Sequence, residues 1–155
     1  MNSIKFLFLA LLVLGGFVGC EKKITTELQD IHWDRDMCER CKMVVSDRTH
    51  TVQVINPNTA QHYMFDDIGC AILWFEDENI SWSNQAKIWI TDFTSGKWID
   101  AKIAYYESAN ITPMAYGFAA HESLGTVQEK NNSIDFKMMS QKIIKIEELK
   151  NRKNY

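Results

Sequence analysis

A β-hairpin leading into a helix is predicted by the run Thr51-Val52-Gln53-Val54-Ile55-Asn56-Pro57-Asn58-Thr59-Ala60-Gln61-His62-Tyr63-Met64-Phe65-Asp66-Asp67. β-Branched and aromatic residues on both sides favour strands, and the Asn-Pro pair marks the turn between them, which gives a hairpin over residues 50–66. Asp66 or Asp67 can then act as the N-cap of a helix. The apolar face of this helix has residues spaced at i, i+3, i+4 and i+7, namely Ile68, Ala71, Ile72 and Phe75.

The C-terminal half of the chain adds further short strands and helices. Strands are predicted at residues 87–93 and 97–101, the second with an extension through residues 103–106. The remaining predicted elements are a short helix over residues 122–128, a last strand at 134–136 and a final helix with Ser140 as its N-cap. This order predicts an α+β fold of small antiparallel strands with two or three helices, arranged as two ββα-type lobes.

The composition is that of a globular protein. The chain has 155 residues, a formal net charge of −3, 46% hydrophobic residues and 24% charged residues. This length suits one compact domain or two small lobes that share a core. A mildly acidic chain without a basic stripe argues against a nucleic-acid partner.

The first twenty residues resemble the signal of a bacterial lipoprotein. A single positive charge precedes an apolar run that is shorter than the roughly 20 residues of a membrane span, and the run ends in Gly19-Cys20. The expected division is a signal peptide at residues 1–19, a lipidated tether at 20–30 that begins with Cys20, and the folded body at 31–155. An ordinary signal peptide followed by an incidental cysteine is the alternative.

Soft sulfur ligands are concentrated in the segment Asp36-Met37-Cys38-Glu39-Arg40-Cys41-Lys42-Met43-Val44-Val45. Two thiols stand three positions apart, and a thioether follows two positions later. Such ligands select Cu(I), Zn(II) or an iron–sulfur cluster. Cu(I) is favoured, because the sequence has no second Cys-x-x-Cys to complete a zinc ribbon. A thiol–disulfide redox pair and a structural disulfide or zinc site are the alternatives.

The pattern Met37-Cys38-x-x-Cys41-x-Met43-x-Val45 resembles the signature of the NosL family, the copper-binding lipoprotein accessory factors of nitrous-oxide reductase. The other stretches that share the resemblance are Phe65-Asp66-Asp67, Ile90-Thr91-Asp92-Phe93, Trp98-Ile99-Asp100-Ala101, Tyr105-Tyr106 and Thr112-Pro113-Met114-Ala115-Tyr116-Gly117. Lys42 and Ala115 depart from the family, which usually has glycine there. If those glycines adopt a positive φ, the backbone of this chain is expected to differ at both positions.

The resemblance implies a membrane-anchored lipoprotein that faces the periplasm, from either the inner or the outer membrane, and that is not an enzyme. It implies that residues 31–155 form a pair of ββαβ-type lobes and bind Cu(I). The implied copper ligands are Cys38, Cys41, Met43 and Met114. The implied partners are nitrous-oxide reductase and its ABC-type maturation transporter. The alternative is a periplasmic thiol–disulfide protein that uses Cys38 and Cys41.

The other side chains with reactive groups are assigned to packing or capping. Cys70 is predicted to be a buried, inert thiol on the helix that follows the hairpin. Asp66 and Asp67 are assigned to capping of that helix. The four histidines are scattered along the chain, and His121 is the best candidate among them, either as an additional copper ligand or as a surface substitution.

Overall fold

Six short strands and two α-helices lie within residues 26–153, the part of the chain that this computed structural model describes, in the order two strands, a helix, four strands and a helix. The strands are β1 (Val52–Ile55), β2 (His62–Phe65), β3 (Lys87–Thr91), β4 (Trp98–Asp100), β5 (Tyr105–Glu107) and β6 (Ala119–His121). The helices are α1 (Ile68–Asp77) and α2 (Phe136–Lys153). The predicted α+β class is therefore confirmed. The predicted signal peptide and Cys20 lie outside the described residues.

The strands form two antiparallel sheets. The first has the order β2-β1-β3-β4, and the second pairs β5 with β6. The predicted hairpin is confirmed, because Val52 pairs with Phe65 and Ile55 pairs with His62. Its turn is stabilised by Asn56, whose side-chain oxygen accepts a hydrogen bond of 2.8 Å from the N–H of Asn58. Helix α1 follows the first hairpin and α2 follows the β5-β6 pair, so each sheet contributes a strand–strand–helix unit.

Helix α1 is positioned by caps at both ends. Asp67 is its N-cap and accepts a hydrogen bond of 2.8 Å from the N–H of Gly69. At the other end Asn79 has a φ of 50°, and its N–H and that of Ile80 donate to the carbonyls of Glu76 and Phe75 in a Schellman motif. Residues 68–75 are all buried, and the helix contacts β1, β2 and α2. The first residues of α1 are thus fixed beside the end of β2.

Four predictions for the second half are wrong. Residues 103–106 do not extend β4, because a turn intervenes and Tyr105–Glu107 pairs with β6 instead. Residues 122–128 form turns rather than a helix, since the Thr126 side chain bonds locally to a carbonyl. In the predicted strand 134–136, Ile134 alone pairs, as a single bridge to Tyr106. Helix α2 begins at Phe136, before Ser140, whose hydroxyl instead donates to the Phe136 carbonyl.

The N-terminal residues of the described range lie against the first sheet. The N–H of Gln29 donates to the Gln53 side chain at 2.9 Å, and the Gln53 amide donates back to the Gln29 carbonyl at 3.0 Å. The sequence places Gln29 in the predicted tether, so the last residues of that segment are already bonded to the body. None of the helices within residues 26–153 combines the length and the apolar character needed to cross a bilayer.

Candidate metal centre

The Cys38–Cys41 segment is a tight loop closed by its own backbone. The N–H of Cys38 donates to the Met43 carbonyl at 2.8 Å, and the N–H of Lys42 donates back to the Cys38 carbonyl at 3.0 Å. Lys42 has a φ of 59°, which reverses the chain directly after the second cysteine. The N–H of Glu39 donates to the carbonyl of Met64 on β2 at 2.8 Å. The loop is therefore attached to the first sheet beside the start of α1.

Two further ligand groups reach the same place from the junction between β2 and α1. Asp66 follows the last residue of β2, and Cys70 lies in the first turn of α1. One ligand atom each from Cys38, Cys41, Asp66 and Cys70 lies within 4.8 Å of every other. Three of these residues are buried, and Cys41 is half-buried. The four residues, called the thiol cluster below, form a candidate metal site with one ligand close to solvent.

The three thiols of the cluster differ in pKa, so that Cys38 ionises most easily. The hydrogen bond between Cys70 and Cys38 lowers the pKa of Cys38 to about 4 and, together with burial, raises the pKa of Cys70 far above its ordinary value. Burial raises the pKa of Cys41 to about 11. Burial and the negative charge on Cys38 raise the pKa of Asp66 to about 6. The cluster thus stabilises one thiolate by itself, and the other thiols lose their protons readily only when a cation compensates the charge.

The dimensions of the thiol cluster suit a small metal ion. Bonds of about 2.3 Å from sulfur to a tetrahedral ion place the sulfur atoms about 3.8 Å apart. The observed limit of 4.8 Å lies within about 1 Å of that spacing. The Cys41 sulfur also lies 3.6 and 3.7 Å from the two carboxylate oxygens of Asp66. Three thiols and one carboxylate can therefore enclose an ion after small side-chain movements.

The sequence-predicted ligands have different positions in the structure. Cys38 and Cys41 both belong to the thiol cluster. Met43 is 52% exposed and contributes its carbonyl to the loop. Met114 is half-buried, and its N–H donates to the Asp67 carboxylate at 3.1 Å. Copper ligation by the two methionines stays a prediction.

His121 fits neither of the roles that the sequence suggested. It is 1% exposed, so it is not a surface substitution. Its ring lies against Phe93, with the ring centroids 5.8 Å apart, and it is not among the residues of the thiol cluster. The prediction of an additional copper ligand at this position is therefore not supported by the arrangement of the described residues.

Sequence reasoning missed two members of the thiol cluster. Cys70 is buried as predicted, but it faces the other two thiols instead of being isolated. Capping explains Asp67, whereas the Asp66 carboxylate belongs to the cluster. The available signal was the spacing: an N-cap at Asp67 fixes Cys70 in the first helical turn, close to Asp66, which directly follows the strand.

Lys42 and Ala115 have the left-handed backbone that glycine favours. Their φ values are 59° and 56°. The expectation that the backbone would differ from a positive-φ turn at these two positions is wrong. A side chain in this conformation costs about 1–2 kcal/mol, so both loops keep their shape at some expense of stability.

Comparison with protein-family models and with curated proteins finds no match to the chain. The inference of a metal site therefore depends on the geometry of the thiol cluster.

Proposed function

We propose that the protein is a Cu(I)-binding metallochaperone rather than an enzyme. The main support is the convergence of three cysteine sulfurs and the Asp66 carboxylate within 4.8 Å. Thiolates are soft ligands that suit Cu(I), and three of them provide the number that this ion accepts. In this proposal Cys38, Cys41 and Cys70 bind the ion, and Asp66 supports the Cys41 sulfur.

The arrangement of the ligands supports transfer of the ion. Cys41 is the half-buried ligand, whereas Cys38 and Cys70 are 0% exposed. A recipient protein would therefore displace Cys41 first, while the two deeper thiols still hold the ion. Stepwise exchange of this kind avoids release of a free ion to solvent.

The resemblance to the NosL family supplies the biological part of the proposal. By this resemblance the protein is anchored in a membrane through lipid on Cys20 and faces the periplasm. Its recipients are nitrous-oxide reductase and the ABC-type transporter of that enzyme's maturation.

Zn(II) is a second candidate, and Asp66 is the observation that favours it. Tetrahedral zinc sites combine cysteine, histidine and carboxylate ligands, and three cysteines with one carboxylate complete such a set. The carboxylate oxygen is a hard ligand that adds little to a Cu(I) site. The two ions therefore make different demands on Asp66.

The thiol–disulfide alternative has weaker support. A redox-active cysteine needs to be both accessible and easily ionised. Here the two properties are separated, because Cys38 has the lowered pKa and is buried, whereas the more accessible Cys41 has a raised pKa of about 11.

Competition against chromophoric chelators tests the proposal. Reduced protein is titrated with Cu(I) and, separately, with Zn(II), each in the presence of a chelator that reports the free ion. We expect one equivalent of Cu(I) to be withdrawn from its chelator and Cys38→Ser to abolish this. Withdrawal of Zn(II) without Cu(I) would replace the proposal by the zinc site, and reduction of a disulfide substrate without metal binding would favour the redox alternative.

A further inference from the structure

Arg40 lies between the two cysteines of the loop and is bound by three other parts of the molecule. Its Nε donates to Asp77 at 2.7 Å, at the end of α1. One terminal nitrogen donates to Glu147 on α2 at 2.9 Å, and the other donates to the Tyr116 hydroxyl at 3.1 Å. A planar guanidinium with several fixed donors is suited to such a junction. The loop that carries Cys38 and Cys41 is thus attached to both helices by one side chain.

The partners of Arg40 are themselves fixed. The Tyr116 hydroxyl donates to the second carboxylate oxygen of Glu147 at 3.0 Å. The Tyr116 ring lies against Gly69, where a Cβ would be only 2.0 Å from a ring carbon. Gly69 precedes Cys70, so Tyr116 connects the α2 carboxylate to the helical turn that supplies the third thiol. Arg40 and Glu147 are about one-fifth exposed, so solvent screens this ion pair less than it screens a surface pair.

Among the described residues, Arg40 is the only charged side chain of the loop that forms an ion pair with α2. Lys42, on the other side of Cys41, pairs with Glu39 of the same loop and is 62% exposed. Movement of Cys41 away from Cys38 and Cys70 therefore requires the Arg40 contacts to break or to stretch.

We propose that Arg40 is a latch that holds the cysteine loop closed over the thiol cluster, so that docking of α2 through Glu147 controls how fast the ion enters and leaves. This inference rests on the proposed function for its metal, but the latch itself concerns the access to Cys41. Arg40 acts through the loop and is a positioning residue, not a metal ligand.

A latch has a kinetic signature that differs from general destabilisation. If the open loop is a minor state, its population sets both the association and the dissociation rate of the ion. Weakening the latch then raises both rates by the same factor and leaves the affinity nearly unchanged. Damage to the ligand geometry would instead raise the dissociation rate alone and weaken the affinity.

The test uses Arg40→Gln and Glu147→Gln in the full-length protein, with Arg35→Gln as the matched control. Arg35 is exposed, lies in the same segment, and its side chain makes no hydrogen bond or ion pair with the described residues. Transfer of Cu(I) to and from a chelator is followed by stopped flow, and the affinity is measured by competition. A second arm measures the rate at which a thiol reagent modifies Cys41 in the metal-free protein. Urea unfolding reports the stability of each variant.

We expect both latch variants to accelerate transfer and thiol modification by about tenfold, which corresponds to about 1.4 kcal/mol, with the affinity unchanged within about threefold. The double variant should be no faster than Arg40→Gln alone, because that substitution already removes the contact with Glu147. Arg40→Lys should give intermediate rates of transfer and of thiol modification, since lysine keeps the positive charge but lacks the planar guanidinium with its several donors.

Two results would overturn the latch. One is an affinity that falls in proportion to the faster release, and the other is thiol modification in Arg40→Gln that matches Arg35→Gln. If the protein binds no Cu(I), the proposed function fails, whereas faster modification of Cys41 in the metal-free arm would still establish the latch.

Discussion

Two buried sets of ligand-type side chains in this molecule have opposite geometries. In the thiol cluster the four donor atoms converge within 4.8 Å of one another. In the histidine cluster, formed by His50, Phe93 and His121, the phenyl ring contacts both imidazoles, with centroid distances of 5.4 and 5.8 Å. Each imidazole is bonded separately: His50 Nδ1 lies 3.1 Å from a carboxylate oxygen of Asp47, and His121 Nδ1 lies 3.2 Å from the Thr126 hydroxyl.

The difference shows that burial of metal-binding residue types does not by itself make a metal site. Histidine is the commonest metal ligand in proteins, yet here the two rings have different polar neighbours, including Glu107 at 3.5 Å from His121 Nε2, and both pack against Phe93. Cysteine packs as a small apolar residue in most cores. Here three cysteines from two segments share one space with a buried carboxylate, which an apolar packing role does not require.

The largest expected effect comes from removing one sulfur of the thiol cluster. Cys70→Ser should lower the affinity for Cu(I) by at least about 100-fold, because loss of a residue that only supports a ligand already costs 10–100-fold. His121→Gln, in the histidine cluster, should leave the affinity unchanged within about threefold. Chelator competition on both variants, with the fold checked by circular dichroism, measures this. Equal losses in the two variants would remove the distinction between the clusters.

A smaller effect is expected at the one oxygen ligand of the thiol cluster. Asp66→Asn should weaken Zn(II) binding by about 10–100-fold and Cu(I) binding by less than about threefold, because the amide cannot supply a charged oxygen and Cu(I) gains little from one. Asp67→Asn is the matched control, since it replaces the carboxylate oxygen that accepts from the Thr112 hydroxyl and the Met114 N–H, and it should lower stability without changing the ratio of the two affinities. Equal losses for both ions at Asp66 would mean that the carboxylate only orients Cys41.

Asp92, which directly precedes Phe93 of the histidine cluster, should make the stability of the protein depend on pH. Burial raises the pKa of Asp92, but hydrogen bonds from Ser95 and from the N–H of Glu122 outweigh it and lower the pKa below the ordinary value. Because the folded state favours the ionised form, Asp92 stabilises the protein above the unfolded pKa of about 3.9, and the stabilisation is lost as the pH falls through the lower folded value.

Asp92→Asn should therefore lower the free energy of unfolding by about 2 kcal/mol at pH 7, and the difference from the parent should shrink towards pH 2. Urea unfolding at several pH values measures it. Asp135→Asn, which alters the carboxylate before α2, serves as a comparison for the loss of a carboxylate acceptor outside the histidine cluster. A difference at Asp92 that does not change with pH would mean that the charge of the carboxylate contributes nothing.

Local patterns explain how much of the fold the sequence predicts. The first hairpin and α1 are correct because strand propensity, the turn residues and the cap at Asp67 all act within about 25 residues of chain. The start of α2 is wrong because Asp135 and Ser140 are both capable N-caps. Asp135 accepts a hydrogen bond of 2.8 Å from the Met138 N–H, and Ile134 before it is held by its bridge to the distant Tyr106.

The same limit applies to the thiol cluster. Spacing alone identifies Cys38 and Cys41, because both lie in one short loop. The participation of Cys70 and Asp66 depends on the hydrogen bond between the Glu39 N–H and the Met64 carbonyl, which places that loop against the junction of β2 and α1. No periodicity in a single sequence reports such a contact between distant segments.

The smallest expected effect is a change in stability on substituting the left-handed residue in a turn near each cluster. Beside the thiol cluster a left-handed position is occupied by Lys42, with a φ of 59°, whereas in the turn below Asp92 it is occupied by Gly96, with a φ of 69°. Lys42→Gly should raise the free energy of unfolding by about 1 kcal/mol, and Gly96→Ala should lower it by a similar amount. A Cβ at residue 96 would meet only a carbonyl oxygen at 3.7 Å, so the second cost arises from the backbone.

The contribution of the Lys42 side chain to stability must be measured separately from the cost of its backbone conformation. Its ion pair with Glu39 spans 3.2 Å and is exposed, so it contributes little. Lys42→Ala removes the ion pair but keeps the Cβ, and the difference between Lys42→Gly and Lys42→Ala in urea unfolding isolates the backbone term. If the glycine variant is no more stable than the alanine variant, the loop does not depend on a left-handed residue. Opposite signs at residues 42 and 96 would instead show that the chain keeps a strained turn beside the thiol cluster and a relaxed one beside the histidine cluster.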